Sequence, residues 1–502
     1  MSVFTHLPLG QRIPASPHAV SCSLPTMRDV RGYEERDPQT MGQLTSGYPR
    51  FVVHPFARQL AAHFVATTPA LARRTLWLTS SKRMAEALAG ALQPSSASID
   101  VFASDGIYGV SHAPDPELYS KAKTFLQNIG GFLSSREAET QLVERGLLTS
   151  LQAEPAFRGD AGAEARRVLR RALPGTQDSD LLLASSGMNA IYAAFRASAA
   201  LQTTRGRTIW LQLGWLYLDT IAILKKFTNT PADYVYVRDP LDHAAIERIF
   251  NQHGSRIAGV FAEMPTNPLI QTPDVAALSL VCRQHGAHLL IDPSVTSIFN
   301  LEVLAHADAV VSSLTKYTAS EGDVIAGVVA INPTGPDAAE LRRRSAEELE
   351  PVYSRDLARL AAQIGAAEEV LARIHANTAH VAAFLEAHPK VRDVYWALQP
   401  TSRENYLRIA RAPDAMGGMI SFTLRGPLEP FYDRLRLPKG PSFGMQTTLI
   451  CPFMYLAHYD LVTTPAGIAE LAASKLDPDL LRLCCGTEPV EDIIGALAEA
   501  LA

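Results

Sequence analysis

Residues 307–327 read ADAVVSSLTKYTASEGDVIAG, an apolar run followed by a turn rich in small and hydroxyl residues. The run ADAVVSSL has the length and composition of a buried strand. Lys316 comes directly after it, between Thr315 and Tyr317, where a solvated surface lysine is not expected. It is either a lysine whose stem snorkels from a strand end or a Schiff-base lysine, whose amine stands on a flexible stem.

Four runs further upstream share this design, and each ends in small or polar residues. They are DLLLASSG at 180–187, TIWLQLGW at 208–215, IAGVFAEM at 257–264 and AHLLIDPS at 287–294. Apolar residues at helical spacing fill the segments between them, namely 188–202, 218–227, 242–252 and 275–286. This repetition of strand, turn and helix predicts an α/β fold with a buried, mostly parallel sheet covered by helices.

The flanking parts of the chain follow other patterns. Residues up to about 55 are rich in Pro, Thr, Arg and Asp, and they predict an arm or a loosely structured lead-in. Helical spacing is found at 57–66, 83–92, 116–148 (with a break at Gly130-Gly131), 161–172 and 337–388 (with a break near Pro351), and strand-like runs at 76–79 and 97–104. Strand-like runs at 391–398, 417–424 and 480–486, with a helix at 490–501, predict a smaller α/β domain.

Length, composition and charge exclude several classes of protein. The chain has 502 residues, 47% of them hydrophobic and 19% charged, which predicts two or more globular domains rather than a disordered chain. A net charge of −5 argues against a broad nucleic-acid surface. The N-terminus lacks a basic patch before an apolar run, and no stretch of about 18 apolar residues is present, so we expect neither a signal peptide nor a membrane span.

The cysteines and histidines give no sign of a metal centre. Five cysteines, at positions 22, 282, 451, 484 and 485, form no CxxC motif, and this predicts reduced thiols in a cytoplasmic protein. Cys484 and Cys485 are adjacent and are interpreted as small buried residues of a strand. His54 and His458 have no partner at ligand spacing, so we expect packing or a local hydrogen bond for each, and no metal.

Chemistry-bearing residues follow the predicted strands, where open parallel sheets bind their ligands. The turn with Ser186 and Gly187 opens a helix, whose backbone N–H groups suit an anion. Glu263 and Asp292 end later strands, before Lys316. An acid in the same sheet as a Schiff-base lysine suits a pyridinium nitrogen, although an aspartate at a strand end is also a common helix cap. The pairing therefore matters more than either residue.

Five motifs in this order resemble those of the Cys/Met-metabolism family of pyridoxal-phosphate (PLP) enzymes, which includes cystathionine gamma-synthase. They are SSGM at 185–188, YLDT at 217–220, EMPTNP at 263–268, IDPS at 291–294 and SLTKYTASEGDVIAG at 313–327. The resemblance covers residues 180 to the C-terminus. More loosely it covers nearly the whole chain, because stretches at 16–35, 46–55 and 122–139 look like the long lead-in of fungal-type members.

The resemblance implies a PLP-dependent aminotransferase-like fold (fold type I), with a mostly parallel seven-stranded central sheet. It implies an N-terminal arm and additional α/β region at 1–175, a PLP-binding large domain at 176–375 and a C-terminal small domain at 376–502. It also implies small amino-acid substrates and a homodimer or homotetramer with an active site shared between subunits. Neither nucleic acid nor membrane is an expected partner.

The family's site residues can be carried over where the motifs match. Lys316 would hold PLP as a Schiff base and move protons between substrate carbons, Asp292 would pair with the pyridinium nitrogen, and Tyr217 would stack on the ring and assist proton transfer. The phosphate would be held by Ser186, Gly187, Met188, Ser313 and Thr315. Substrate would be bound by Asn267, Ser442 and Arg482, the last clamping the α-carboxylate, because a guanidinium offers a carboxylate two parallel hydrogen bonds.

Several positions depart from the family's pattern. The family's Asp-Asn-Thr is Asp292-Pro293-Ser294 here, and two glycines of its tyrosine motif are replaced by Leu218 and Asp219. The segment S-L-G-G-x-E-S-L is SFGMQTTL at 442–449, so its acidic residue is absent. That residue bears on substrate choice in the family, which puts the ordinary specificity in doubt.

Family dimers complete each site with a Tyr-x-Arg from the partner, which binds the PLP phosphate. Tyr48-Pro49-Arg50 matches this motif by residue type, whereas Arg136 matches by its distance before the SGM motif. We expect Arg136 to reach the partner's phosphate, with Tyr48 and Arg50 structural or at the entrance. A surface salt bridge is the plain alternative for either arginine.

The function implied is PLP-dependent γ-replacement on an O-acylated homoserine with a thiol nucleophile. Cysteine as the nucleophile would give cystathionine, and the altered 442–449 segment leaves room for another nucleophile and an unusual amino-acid product. A second interpretation is a carbon–sulfur lyase that eliminates from cystathionine or methionine. A third, a non-catalytic PLP-fold binding protein, is disfavoured because the lysine, the aspartate and the carboxylate arginine are all present.

Overall fold

A computed structural model describes residues 4–48, 52–95 and 97–502. The N-terminal part of the chain contains a short antiparallel ribbon, β1-β2, and a three-stranded antiparallel sheet in the order β3-β5-β4. Its strands are β1 (Arg12–Ile13), β2 (Ser21–Cys22), β3 (Thr75–Thr79), β4 (Ile99–Ser104) and β5 (Ile107–His112). Its helices are α1 (Met27–Glu34), α2 (Pro38–Gln43), α3 (Pro55–Thr67), α4 (Lys82–Ala91), α5 (Pro116–Ile129), α6 (Ser135–Glu144) and α7 (Ala161–Ala172).

Of the two predictions for the residues up to about 55, an arm or a loosely structured lead-in, the second does not hold for the segment that contains α1 and α2. Helix α1 begins with a capping box between Thr26 and Asp29, and it buries Met27, Val30 and Tyr33 along one face. These residues pack in one cluster with the last helices and strands of the chain. These three apolar residues span fewer than three helical turns, and prolines flank the helix on both sides. The sequence therefore shows too few repeats to reveal a helical period.

The central sheet has seven strands in the order β6-β12-β11-β10-β9-β7-β8. They are β6 (Leu181–Ala184), β7 (Ile209–Leu213), β8 (Tyr234–Val237), β9 (Ile257–Glu263), β10 (His288–Asp292), β11 (Ala309–Ser313) and β12 (Gly327–Ile331). All run in one direction except β12, which is antiparallel to both neighbours. This confirms the predicted mostly parallel seven-stranded sheet and the five strand-like runs, whereas β8 and β12 were not recognised individually.

Helices cover both faces of this sheet, as the uninterrupted apolar runs require. They are α8 (Gly187–Thr203), α9 (Leu218–Phe227), α10 (His243–His253), α11 (Val275–His285), α12 (Ala338–Glu348) and α13 (Ser354–Ile364). Strand β9 shows the pattern, because Ile257 and Val260 face one core while Ala258 and Phe261 face the other. The sheet is therefore buried on both faces, and its polar strand ends mark one edge.

The C-terminal part forms a four-stranded antiparallel sheet in the order β13-β14-β16-β15. Its strands are β13 (Val391–Trp396), β14 (Met419–Leu424), β15 (Leu449–Pro452) and β16 (Leu481–Cys484). Its helices are α14 (Ala367–Ala387), α15 (Arg403–Ile409), α16 (Leu428–Arg434), α17 (Phe453–Ala457), α18 (Tyr459–Thr463), α19 (Pro465–Ala473) and α20 (Val490–Leu501). The sequence predicted this smaller α/β unit but not the short strand β15.

Packing crosses both of the predicted domain boundaries. Helix α14 spans residue 375 and contributes Leu371 and Ile374 to the central core but Val381 and Leu385 to the C-terminal core. Helix α7, assigned to the N-terminal region, packs on the central core. The division at 175 and 375 stays a prediction. Across the described ranges, no helix is long and apolar enough to cross a membrane.

Candidate active site

A cavity of about 720 Å³ lies at the carboxyl ends of the central strands. Side chains from the N-terminal region, the central sheet and the C-terminal sheet all line it. Every residue predicted for the site contributes to its wall: Arg136, Ser186, Gly187, Met188, Tyr217, Asn267, Asp292, Ser313, Thr315, Lys316, Ser442 and Arg482. The structure thus brings together residues that lie far apart in the sequence.

Lys316 follows β11 and presents its amine inside this cavity. Its Nζ donates to the hydroxyl of Tyr48 and lies 3.5 Å from the Ser442 Oγ, and it stands 4.3 and 4.4 Å from the ring centres of Tyr48 and Phe443. Burial, reinforced by the nearby charge of Arg482, lowers the pKa of the Lys316 amine to about 7. A buried lysine of this kind can exist as the neutral, nucleophilic amine near neutral pH.

Asp292 is a buried acid of the site. It ends β10, and its Oδ1 accepts a hydrogen bond from the backbone N–H of Ser294 at 2.8 Å. Burial raises the pKa of Asp292 to about 6, and the opposing influences are its hydrogen bonds with Ser294 and the charge of Lys316. Asp292 is therefore positioned to face a cation in the cavity.

The N-terminus of α8, which the sequence predicts to be an anion cradle, is a capped helix start that lies in the cavity wall. The Ser186 Oγ caps the helix by accepting from the backbone N–H of Asn189 at 3.0 Å. A Cβ on Gly187 would lie only 2.7 Å from the Cβ of Ser313, so this turn has space for backbone alone. The Thr315 hydroxyl donates to the carbonyl of Ala326 at 3.2 Å, so its proton does not point at the cradle.

Arg482, on β16, is held in place by aromatic rings rather than by an acid. Its guanidinium carbon lies 5.2 Å from the ring centre of Phe443 and 4.7 Å from that of Phe453. Its Nη1 and Nη2 have only long contacts, 3.4 Å each, to the Asn267 Oδ1 and the Ser442 carbonyl. Among the described residues it forms no ion pair, so it is available to a carboxylate from outside the protein.

The prediction that Arg136 reaches a partner's phosphate finds no support in its contacts. Arg136 is 1% exposed, and its five N–H groups bind within its own chain. The acceptors are the carboxylates of Glu154, Asp323 and Asp356 and the carbonyl of Asp323. A buried guanidinium paired in this way cannot be released cheaply. Within its own chain Arg136 fastens α6 to the segment that follows Lys316, and its contact with a partner's phosphate stays a prediction.

Sequence reasoning placed Tyr48 outside the chemistry, but the structure places it on Lys316. Besides accepting from the amine, the Tyr48 hydroxyl lies 2.5 Å from the Ser442 Oγ. The motif Tyr48-Pro49-Arg50 was the available signal, and Arg50 lies outside the described residues. Phe443 and Phe453, which flank Arg482, carried no signal in the sequence. All five cysteines are buried and none forms a disulfide among the described residues, and His54 caps α3. The part of the chain that the structure describes contains no metal-binding cluster.

Comparison with known proteins agrees with this geometry. The family model described as Cys/Met metabolism PLP-dependent enzyme matches residues 164–502. The L-2-amino-4-chloropent-4-enoate dechlorinase/desaturase of Streptantibioticus cattleyicolor is 39% identical, with 97% of each chain covered. The cystathionine gamma-synthase of Neurospora crassa is 26% identical, with 98% of each covered. The crystal structure of cystathionine gamma synthase from Xanthomonas oryzae pv. oryzae in complex with cystathionine has a TM-score of 0.57 at 22% identity, covering 70% of this chain and 92% of that one.

The residues present fit PLP, the cofactor that this family uses. The phosphate needs a close backbone cradle, and the turn at Gly187 has no space for a Cβ. A ring nitrogen needs a buried anion, and Asp292 is 6% exposed at the end of β10. The aldehyde needs a lysine amine, which Lys316 supplies in the same cavity. Lys316, Asp292 and the α8 N-terminus would hold the group, which supplies an electron sink to amino-acid chemistry.

Closing the cradle should weaken cofactor retention. The variant Gly187→Ala places a Cβ against Ser313, and we expect PLP to be lost about tenfold faster during dialysis, because overpacking a tight site costs roughly 1–3 kcal/mol. The matched control is Gly495→Ala in α20, where an added Cβ meets nothing within 4 Å. Equal retention by both variants would show that the turn at Gly187 does not contact the phosphate.

The lowered pKa of Lys316 predicts how PLP loading depends on pH. With a pKa of about 7, the neutral amine increases from a small fraction at pH 6 to most of the protein at pH 8. We expect the rate of covalent loading of apoprotein to rise about tenfold over this interval and then to level off, since only the neutral amine attacks the aldehyde. Stopped-flow absorbance measures it. A rate that keeps rising to pH 10 would mean that Lys316 has an ordinary pKa.

The cradle, the anion and the lysine stand together at one edge of the sheet, and the family model spans more than half of the chain. The protein belongs to the family of Cys/Met metabolism PLP-dependent enzymes.

Proposed function

We propose that the enzyme expels a leaving group from Cγ of an L-2-amino acid. The observation that carries this proposal is that Lys316, Asp292 and Arg482 line one cavity, with the amine of Lys316 buried and Arg482 unpaired by any acid among the described residues. Two of the relatives that match nearly the whole chain support Cγ as the position from which the leaving group departs. One is named for a substrate with chlorine on C4, the γ carbon, and the other for gamma-synthase activity.

Each residue has a task that follows from its position. Arg482 binds the substrate α-carboxylate through two parallel hydrogen bonds, and the rings of Phe443 and Phe453 fix the plane of its guanidinium. Neutral Lys316 accepts the proton from Cα and then serves the proton transfers at Cβ that precede departure from Cγ. The Tyr48 hydroxyl, which accepts from the Lys316 Nζ, orients that amine. PLP supplies the electron sink for both proton losses.

Two candidate reactions differ in what happens to the substrate after the leaving group has departed from Cγ. We favour elimination without an added nucleophile, with a γ-chloro-alkenyl amino acid as substrate, because the dechlorinase/desaturase is 39% identical along 97% of the chain. Loss of HCl then leaves the product one degree more unsaturated. Replacement of an acyloxy group by a thiol is the second candidate, favoured by the 26% identity to a cystathionine gamma-synthase. A carbon–sulfur lyase would use the same residues.

A substrate panel tests these alternatives. Holoenzyme is incubated with L-2-amino-4-chloropent-4-enoate, O-acetyl-L-homoserine, O-succinyl-L-homoserine or cystathionine, each with and without cysteine. We expect chloride release without cysteine, at a rate that cysteine does not change. Cystathionine formed only when cysteine is present would establish thiol replacement, and thiol released from cystathionine would establish the lyase. No turnover of any substrate by PLP-loaded protein would contradict the proposal.

We also propose that the enzyme is a cytoplasmic homodimer or homotetramer whose subunits share active sites. Five buried cysteines without a disulfide among the described residues are typical of a reducing compartment. Sedimentation of holoenzyme gives the assembly state. A monomer that is fully active would contradict the shared site.

A further inference from the structure

Glu263 is a buried carboxyl in the cavity wall to which the proposed reaction gives no task. It is the last residue of β9 and is 3% exposed. In the parallel pairing of β9 with β10 it stands at the register of Asp292, so the two acids are neighbours at the same edge of the sheet. Burying one acid beside another costs folding free energy, so we infer that Glu263 has a function that offsets this cost.

The two oxygens of Glu263 have different surroundings. Its Oε1 accepts from the backbone N–H of Tyr217 at 2.5 Å, immediately before α9 begins. Its Oε2 is buried without a hydrogen-bond partner among the described residues. The hydrogen bond to Oε1 ties the backbone of Tyr217, the residue expected against the cofactor ring, to the end of β9. The lack of a partner at Oε2 shows that the protein does not solvate a full negative charge on this side chain.

The charges around Glu263 decide which of the two acids is ionised. Facing Glu263 are Asp292 from β10, the Tyr217 N–H and Arg482 from β16. Asp292 has the stronger support for an anion, because it receives hydrogen bonds from Ser294 and faces the charge of Lys316. Burial and the charge of Asp292 raise the pKa of Glu263 well above its ordinary value. Two adjacent buried carboxylates do not both ionise readily, so the proton of the pair belongs on Glu263.

We propose that Glu263 is a positioning residue: as a neutral carboxyl it anchors Tyr217 beside the cofactor ring and leaves Asp292 as the anion that faces the ring nitrogen. Glu263 takes no part in bond making. If it merely filled the end of the strand, its hydrogen-bonding groups would not affect how the cofactor is held.

Two substitutions separate the anchoring role from the charge. Glu263→Gln retains an oxygen acceptor for the Tyr217 N–H and is neutral, whereas Glu263→Met has similar length and no strong acceptor. Asp308→Asn is the matched control. Asp308 is a half-buried carboxyl that, like Glu263, accepts a backbone N–H, from Leu289 at 2.8 Å, but it precedes β11 at the opposite edge of the sheet.

The readouts are cofactor retention and the pH midpoint of the visible band of bound PLP, so no substrate is needed. We expect the Gln variant and the Asp308→Asn control to match the unchanged protein in both. We expect the Met variant to lose PLP about tenfold faster, since the Tyr217 N–H is left unpaired. Because these measurements involve only the cofactor, their outcome is independent of whether the proposed reaction is correct.

Two results would overturn the proposal. A shift of the midpoint by about one pH unit in the Gln variant would show that Glu263 is ionised in the enzyme, because removing a nearby anion has an effect of that size. Equal retention of PLP by the Met and Gln variants would show that Glu263 does not anchor Tyr217. If the Met variant does not fold, the pH midpoint of the Gln variant alone decides.

Discussion

Replacing Arg482 with methionine is expected to lower kcat/KM for the γ-substituted substrate by about a thousandfold. Arg482 is the guanidinium on β16 that the described residues leave without an ion pair. Each charge-assisted hydrogen bond to the substrate carboxylate contributes roughly 1.5–3 kcal/mol, and two of them account for about three powers of ten. The Arg482→Lys variant retains charge but loses the planar fork, so we expect it to recover only part of the activity.

Steady-state kinetics on PLP-loaded protein measure this effect. The decrease in kcat/KM caused by Arg482→Met should be larger for an amino-acid substrate than for the corresponding amide, because the amide has no carboxylate for Arg482 to bind. Arg408→Met is the control, since Arg408 is exposed and pairs with Asp274 away from the cavity. A kcat/KM that remains within a factor of three in Arg482→Met would mean that another group binds the carboxylate.

Replacing Lys316 with alanine is expected to reduce turnover by about four powers of ten in PLP-loaded protein. Removing a positioned general base costs about 10²–10⁴-fold by itself, and loss of the covalent attachment adds to it. Lys316→Arg should be equally inactive, because a guanidinium does not give up its proton near neutral pH. Small primary amines added to Lys316→Ala should restore part of the proton transfer.

Lys439→Met is the matched control for Lys316. Lys439 is also a buried lysine, and burial lowers its pKa to about 8, but its Nζ donates to the backbone carbonyl of Pro25 instead of lining the cavity. Turnover per folded molecule should be unchanged in this variant. Similar losses in the Lys316 and Lys439 variants would mean that the effect of Lys316 arises from folding rather than from chemistry.

The central sheet and most of the candidate site could be predicted because their signals are local. Strand β9 is an uninterrupted apolar run, and its ends are marked by Glu263 and a polar turn. Residues that follow parallel strands meet at one edge of the sheet, so the sequence pattern alone predicts Asp292 and Lys316 in one site. Strand β8 has only four residues, two of them tyrosines, and it shows no such apolar run.

What the sequence could not provide are contacts between distant segments. Tyr48 contacts Lys316, although 268 positions separate the two residues in the sequence. No local pattern predicts a contact between residues so far apart in the chain. Arg136 was expected to bind a phosphate because of its position before α8. Its actual partners, Glu154, Asp323 and Asp356, come from three other segments, and only the folded chain brings them together. A free arginine and a fully paired one look the same in a sequence.

Borohydride reduction of the holoenzyme, followed by peptide mass spectrometry, tests most directly whether Lys316 holds the cofactor. Reduction fixes PLP to the lysine that carries it, and the labelled peptide identifies that residue. We expect the label on the peptide that contains Lys316, and no label in Lys316→Ala. A label on Lys439 or another lysine, or PLP bound with Lys316 unmodified, would contradict the assignment of this cavity as the active site.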